Sequence, residues 1–280
     1  MIKAAFFDID GTLLTSDAEV LPSTSRAIEK LHQNDIICCI ASGRGPKRIR
    51  SLVGDLPMDA YILYNGQIVF SHDAGIYEHY FTQETLERLA MFGDEENRQM
   101  IFGGRKSFYG SKSMRMGQRR LIKQLYHYFP EKVSAKELEK ILKKWQIFPK
   151  ADNRFMSLPI FSQPIYQCVL LSPESETKRL EEMFPDCHFT RSNPYSVDVI
   201  PKGGSKIVGI QKTLEHYGIK QEEAIAFGDS WNDTEMLKEV GIGVAMGNAN
   251  EDIKELADYI TDTNNNDGIM KALQELKIIR

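Results

Sequence analysis

The polar residues best suited to chemistry each stand just after an apolar run. Asp8 and Asp10 follow Ala4–Phe7, Ser42 follows Ile36–Ala41, Asn65 follows Ala60–Leu63, and Asp229 follows Ala224–Phe227, with Asp233 close behind. Four carboxylates gathered in one pocket would repel one another strongly. Oxygen donors with room for water suit Mg2+, which takes an octahedral oxygen shell and keeps several waters. Such an ion would remove the repulsion and attract an anion. Ser42-Gly43 offers a hydroxyl and backbone N–H groups where a strand gives way to a loop, a ready anion site. Lys206 stands at the start of a helical pattern, after Pro201-Lys202-Gly203-Gly204-Ser205, and adds a point positive charge. Metal, lysine and serine together would clamp a transferring phosphoryl group. Gly11 lets the chain turn sharply after the first run.

These residues can meet only if the apolar runs are neighbouring strands. Pro22–Gln33 carries apolar positions at Ala27, Ile28 and Leu31, with a proline suited to a helix start. Pro46–Val53 reads as a further helix. Strand and helix thus alternate, as in a parallel α/β sheet with crossover helices. In such sheets ligands bind outside the carboxyl ends of the strands. The style then changes. Thr82–Glu96 reads as a helix capped by Thr82, residues 98–118 resist assignment, and Ser134-Ala135-Lys136-Glu137 fits a capping box. Ile165–Leu171 reads as a strand and Pro173–Phe184 as a charged helix. Near Val197 the first style returns, with helices at Ser205–Tyr217, Trp231–Glu239, Asn250–Ala257 and Asp267–Leu276, and strands at Ala224–Phe227 and Ile242–Met246. The expected architecture is an α/β, Rossmann-like parallel-sheet core over 1–82 and 193–280. An α/β domain of roughly 110 residues, an ordinary domain size, is inserted over 83–192.

Bulk properties narrow the function classes. The 280 residues are 42% hydrophobic and 26% charged, as in a soluble globular protein. The net charge of −4 argues against nucleic acid or an anionic membrane as the main partner. Cys38, Cys39, Cys168 and Cys187 show no ligand spacing and read as reduced core residues. No two of the six histidines are spaced as a helical zinc pair. The N-terminus lacks a signal peptide and no run is long enough to span a bilayer, so a cytoplasmic protein is expected.

Taken together, the motifs resemble a known group. Asp8-Ile9-Asp10-Gly11-Thr12, Ser42-Gly43-Arg44, Lys206 and Gly228-Asp229-Ser230-Trp231-Asn232-Asp233 look like motifs I to IV of the haloacid dehalogenase superfamily. Asn65-Gly66, Met246-Gly247-Asn248-Ala249 and the long insertion between Ser42 and Lys206 resemble its Cof-type hydrolases, which carry a large α/β cap. The resemblance implies a phosphatase in which Asp8 attacks phosphorus to form an aspartyl-phosphate and Asp10 is the general acid and base. It implies Mg2+ held by the Asp8 carboxylate, the Asp10 main-chain carbonyl and Asp229, with Asp233 supporting that shell. It implies phosphate contacts from Ser42, the backbone of Ile9 and Gly43, Lys206 and Asn232. Asn65 and cap residues would face the leaving group, and Thr12-Leu13-Leu14 would belong to a mobile flap.

Each element alone has a plainer reading. A lone DxD is usually a turn, and a lone GDxxND a helix cap. Their joint occurrence, in order, favours the active site. Trp231 is bulky for its motif position and can pack on the core or face the substrate. Arg115, Arg119, Arg120 and Lys123 form either a solvated face or a contact for a second anionic group. Phe102, Phe108 and Tyr109 are either cap loops over the site or hairpin packing. The leading function is hydrolysis of small phosphorylated metabolites such as sugar phosphates, nucleotide-type cofactors or pyridoxal phosphate. A phosphosugar mutase and a non-catalytic phosphometabolite sensor are the alternatives.

Overall fold

In a computed structural model the described residues are 1–72, 74–111 and 155–280. They form two compact units, one of Met1–His79 with Gly203–Arg280, the other of Tyr80–Lys202.

The first unit is built on an eight-stranded sheet. Its strands are β1 (Ala4–Phe7), β2 (Ile37–Ala41), β3 (Ala60–Leu63), β4 (Ile68–Ser71), β5 (Gly75–Glu78), β11 (Ala224–Gly228), β12 (Ile242–Ala245) and β13 (Tyr259–Ile260). Their order is β13-β12-β11-β1-β2-β3-β4-β5. The six strands from β13 to β3 run parallel, while β4 and β5 extend the sheet as antiparallel strands. The expected parallel sheet is therefore mixed at one edge. The reason is local: Tyr64, Asn65 and Gly66 all adopt positive φ, which reverses the chain directly after β3 without room for a helix. The chain leaves β1 first toward β2 and later, from the other flank, along β11. This change of direction opens a crevice at the carboxyl end of β1. The strands there are fully buried on both faces: Phe6, Phe7, Cys39, Ile40, Ala226 and Phe227 have no exposure. Phe7 and Phe227 are register partners, and their rings stack at 5.1 Å. Each such side chain contributes about 1.5–3 kcal/mol by burial, so the strand ends are fixed supports.

Helices α1 (Pro22–Gln33), α2 (Ile49–Val53), α5 (Lys206–Tyr217), α6 (Thr234–Glu239), α7 (Glu251–Lys254) and α8 (Gly268–Glu275) belong to this unit. Helix α5 packs Ile207, Ile210 and Leu214 into the core and ends on Gly218 in the left-handed conformation, a common helix stop.

The second unit has a five-stranded antiparallel sheet in the order β7-β6-β8-β10-β9. It comprises β6 (Met100–Gly104), β7 (Phe108–Gly110), β8 (Ile165–Leu171), β9 (Cys187–Asn193) and β10 (Ser196–Pro201), with helices α3 (Gln83–Glu95) and α4 (Thr177–Met183). The Thr82 hydroxyl caps α3 by accepting the Thr85 N–H at 3.2 Å. Strand β10, which the sequence pattern places with the core, is bonded to β8 and β9 in this second sheet. Its apolar run suits a buried strand in either sheet, so the run alone does not say which. Phe102 pairs with Tyr109 across the β6–β7 hairpin, is fully buried and packs against Phe155, so this segment is hairpin core. The basic stretch at Arg115, Arg119, Arg120 and Lys123 and the capping box at 134–137 lie outside the described residues. All four cysteines are buried and unbridged. Among the described residues no helix is long and apolar enough to cross a membrane.

Candidate active site

Parallel register brings the motif residues to one rim. Phe7 is level with Ile40 on one side and Phe227 on the other, so Asp8, Ser42 and Asp229 emerge together. The Asp8 N–H is held by the Phe227 carbonyl at 3.0 Å and the Ser42 N–H by the Ile62 carbonyl at 2.8 Å. Asp8, Asp229 and Asp233 each offer a carboxylate oxygen within 4.8 Å of the others.

Lys206 ties this cluster together. Its side chain is fully buried, and its ammonium donates to Asp8 Oδ1 and to Asp233 Oδ1, both at 2.6 Å. Burial alone would lower its pKa. The charges and hydrogen bonds of Asp233 and Asp8 reverse that and hold it above the ordinary lysine range. The acids remain undercompensated. Burial pushes Asp8 well above the carboxylate range, against the opposing pull of Lys206, and Asp233, Asp229 and Asp10 add to the rise. Burial and the Asp233 charge push Asp229 up to about 7.

The remaining carboxylate oxygens are aimed by short loops. Asp233 Oδ2 accepts the N–H groups of Asp229 and Ser230, both at 3.0 Å, which makes the sequence both a helix cap and part of the acidic cluster. Asp229 accepts the Thr12 hydroxyl at 2.9 Å and the Ser230 hydroxyl at 3.2 Å. Two glycines make room. A Cβ on Gly228 would lie 2.6 Å from Asp233 Cβ, and one on Gly11 would overlap the Asp229 carboxylate.

Asp10 is placed differently from the other three acids. Its side chain is half exposed and takes both prongs of Arg44, with Nε to Oδ2 and a terminal nitrogen to Oδ1 at 2.5 Å each. Arg44 is itself pinned: its N–H reaches Ser42 Oγ at 3.2 Å and its carbonyl accepts the Tyr64 N–H at 3.1 Å. Asn65 is 1% exposed, and its Oδ1 accepts from Asn232 Nδ2 at 3.2 Å. Asn232 Oδ1 is buried without a partner among the described residues. Ile9 is fully buried, and its carbonyl accepts the Leu14 N–H at 2.9 Å. Gly43 lies beside Ser42 at the same strand end. Trp231 packs partly on the core, and its indole N–H reaches Asp252 at 2.7 Å.

Some contributors carry no assigned role in the sequence reading. Arg44 sits inside a recognised motif yet its pairing with Asp10 is not evident from spacing. Asn248 follows β12, so the strand-end rule that marks the other residues applies to it as well; its Nδ2 donates to the Gly11 carbonyl at 2.9 Å. Asn264 donates to the Leu14 carbonyl at 2.7 Å. No sequence signal marks it, because the strand before it has only two residues.

Comparison with known proteins agrees with this geometry. The sequence profile of the haloacid dehalogenase-like hydrolases matches residues 5–273. YkrA of Bacillus subtilis strain 168, which carries a provisional phosphatase name, is 31% identical over 278 residues, covering 99% of each chain. The 5-amino-6-(5-phospho-D-ribitylamino)uracil phosphatase YcsE of the same organism is 28% identical over 274 residues, 98% of this chain and 95% of the other. A solved haloacid dehalogenase subclass IIB sugar phosphatase superposes with a TM-score of 0.79 at 32% identity, covering 99% of this chain and 100% of that one. The chain therefore belongs to the haloacid dehalogenase-like hydrolases, as an enzyme of their phosphatase type.

Proposed function

We propose that the protein is a cytoplasmic, Mg2+-dependent phosphomonoesterase of small phosphorylated metabolites, acting through an aspartyl-phosphate on Asp8. The observation that carries this reading is the buried meeting of Asp8, Asp229, Asp233 and Lys206 at the end of β1. The donor set fits the metal: all its side-chain donors are carboxylate oxygens, and the raised pKa values of Asp8 and Asp229 mark carboxylates whose charged forms lack the compensation a divalent cation would supply. Asp8, the Asp10 main-chain carbonyl and Asp229 would hold the ion. Asp233, whose oxygens are engaged by Lys206 and two N–H groups, would orient that set. When bound, Mg2+ supplies charge neutralisation for the phosphoryl group.

The chain's own residues account for the bond changes. An Asp8 carboxylate oxygen attacks phosphorus as the ester P–O bond breaks, and Asp10, protonated once one of its oxygens is free of the Arg44 guanidinium, gives that proton to the departing oxygen. Asp10, now a base, takes a proton from water as that water attacks the phosphoryl group. Phosphate leaves and Asp8 returns to the carboxylate. Lys206, Ser42, Asn232 and the backbone of Ile9 and Gly43 hold the phosphoryl oxygens, with Asn65 behind Asn232. The inserted unit serves as the cap that selects the leaving group. Sugar phosphates, nucleotide-type cofactors and pyridoxal phosphate are the substrate classes this reading favours. Release of p-nitrophenolate from p-nitrophenyl phosphate, stopped by EDTA and restored by Mg2+, tests the reading. Turnover unaffected by chelation would refute it.

A further inference from the structure

The loop bearing the nucleophile is held by side chains from the far end of the chain. Between residues 8 and 16 its own backbone support includes Leu13 N–H to the Asp8 carbonyl, Leu14 N–H to the Ile9 carbonyl, a turn in which Thr15 N–H donates to the Glu19 carbonyl and the Thr15 carbonyl accepts the Ala18 N–H, and isolated bridges of Leu14 with Asp10 and Val20. Gly11, at φ +82°, is the pliable point of this loop. Three asparagines grip it. Asn248 Nδ2 donates to the Gly11 carbonyl at 2.9 Å, and Asn264 Nδ2 to the Leu14 carbonyl at 2.7 Å. Asn265 exchanges two bonds with Ser16: the Ser16 N–H donates to Asn265 Oδ1 and Asn265 Nδ2 donates to Ser16 Oγ, both at 2.9 Å. The gripping loops are themselves linked, because the Asn264 N–H donates to Asn248 Oδ1 at 2.9 Å. Gly247 permits that link: a Cβ there would lie 2.9 Å from backbone atoms of residues 261–263.

We propose that Asn248, Asn264 and Asn265 are positioning residues for the reaction, a clasp that fixes the 8–16 loop so that the Asp8 carboxylate and the Asp10 carbonyl face one divalent ion. The inference rests on the Mg2+-dependent mechanism above. Amide side chains suit the task for a chemical reason. Asn248 donates to the Gly11 carbonyl while accepting the Asn264 N–H, Asn264 donates to the Leu14 carbonyl, and Asn265 both donates to and accepts from Ser16. A lysine would satisfy one carbonyl while bringing a cation to compete with the metal. An aspartate would set an oxygen against an oxygen. The clasp acts at and just beyond Gly11, where the backbone is least constrained, so its loss displaces the Asp10 carbonyl more than it displaces β1.

The test uses the whole chain with the variants Asn248→Ala, Asn264→Ser and Asn265→Ala. Asn266→Ala is the control, since Asn266 bonds Asp262 within its own loop. Mg2+ alone is titrated calorimetrically without substrate, and kcat, KM and Tm are measured with p-nitrophenyl phosphate. Clasp variants are expected to bind Mg2+ about tenfold more weakly and to lose kcat rather than KM, as small misplacements of reacting groups do. The control is expected to match wild type. Asn248 and Asn265 are exposed, so their variants keep the test open if Asn264→Ser fails to fold. Wild-type Mg2+ affinity and kcat in folded Asn248→Ala and Asn265→Ala, with only Tm lowered, would overturn the clasp. A wild-type protein that neither binds Mg2+ nor turns over would instead overturn the mechanism beneath it.

Discussion

The Lys206 ammonium lies 2.6 Å from Asp8 Oδ1 although 198 positions separate the two residues. A second bond of the same length to Asp233 fixes the ammonium between two buried carboxylates. In this arrangement the lysine offsets part of the nucleophile's charge before substrate arrives. It is then in place to share its charge with an incoming phosphoryl oxygen.

Lys206→Met keeps the side chain's length and removes its charge. Removing one partner of a buried ion pair typically costs about 3–5 kcal/mol. A large fall in Tm is expected, reduced in part by Mg2+, together with loss of activity. An unchanged Tm would show that the ion pair carries no stability.

Asp8 and Asp229 make metal-free stability fall with rising pH. Unfolded aspartate titrates near about pH 4, whereas burial and neighbouring charge raise Asp8 well above that and Asp229 to about 7. Between those values the folded protein holds protons that the unfolded chain has released. The linked stability is fully present below the unfolded pKa and is lost as pH rises through the folded one. Mg2+ competes with those protons. Its stabilising shift in Tm is expected to be larger at about pH 8 than at about pH 5.5. Differential scanning fluorimetry across pH reads this directly, and an equal shift at both would contradict the assignment.

Arg44→Lys replaces a two-pronged contact on Asp10 with a point charge. General acid–base catalysis contributes at least about a hundredfold, so misalignment of Asp10 is expected to cost a substantial part of that in kcat. The loss should be greater for an alkyl phosphate, whose leaving oxygen needs a proton, than for p-nitrophenyl phosphate. Equal losses on both would place Arg44 elsewhere in the mechanism.

Gly228→Ala drives a methyl group to within 2.6 Å of Asp233 Cβ. Overpacking of this kind costs about 1–3 kcal/mol. Here it would also displace the Asp233 oxygens that hold Lys206 and two N–H groups. Lower Tm and weaker Mg2+ binding are expected together. A fall in Tm with unchanged Mg2+ affinity would separate Asp233 from the metal site.

Much of the rim was legible because each parallel strand is an unbroken apolar run ended by a polar residue. The runs before Asp8, Ser42, Asn65 and Asp229 are all observed strands. The antiparallel edge was not legible. Strand β5 is half exposed without clean alternation, and β4 follows a reversal that depends on positive φ at Tyr64 and Asn65, residue types that do not announce it. The acidic cluster was readable as a set, yet the Asp10 carboxylate turns aside to Arg44, a choice made by tertiary packing of the loop that carries Arg44. The asparagine contacts on the 8–16 loop lie beyond sequence reading for a similar reason, since they join segments from opposite ends of the chain.

Covalent capture on residue 8 would reveal the nucleophile itself. The enzyme is mixed with a phosphorylated substrate and Mg2+, quenched in acid during turnover, digested and mapped by mass spectrometry. A single acid-stable, base-labile acyl phosphate is expected on Asp8 and is expected to be absent from Asp8→Asn. Turnover with no phosphorylated residue, or a phosphoryl group on any other side chain, would contradict Asp8 as the nucleophile.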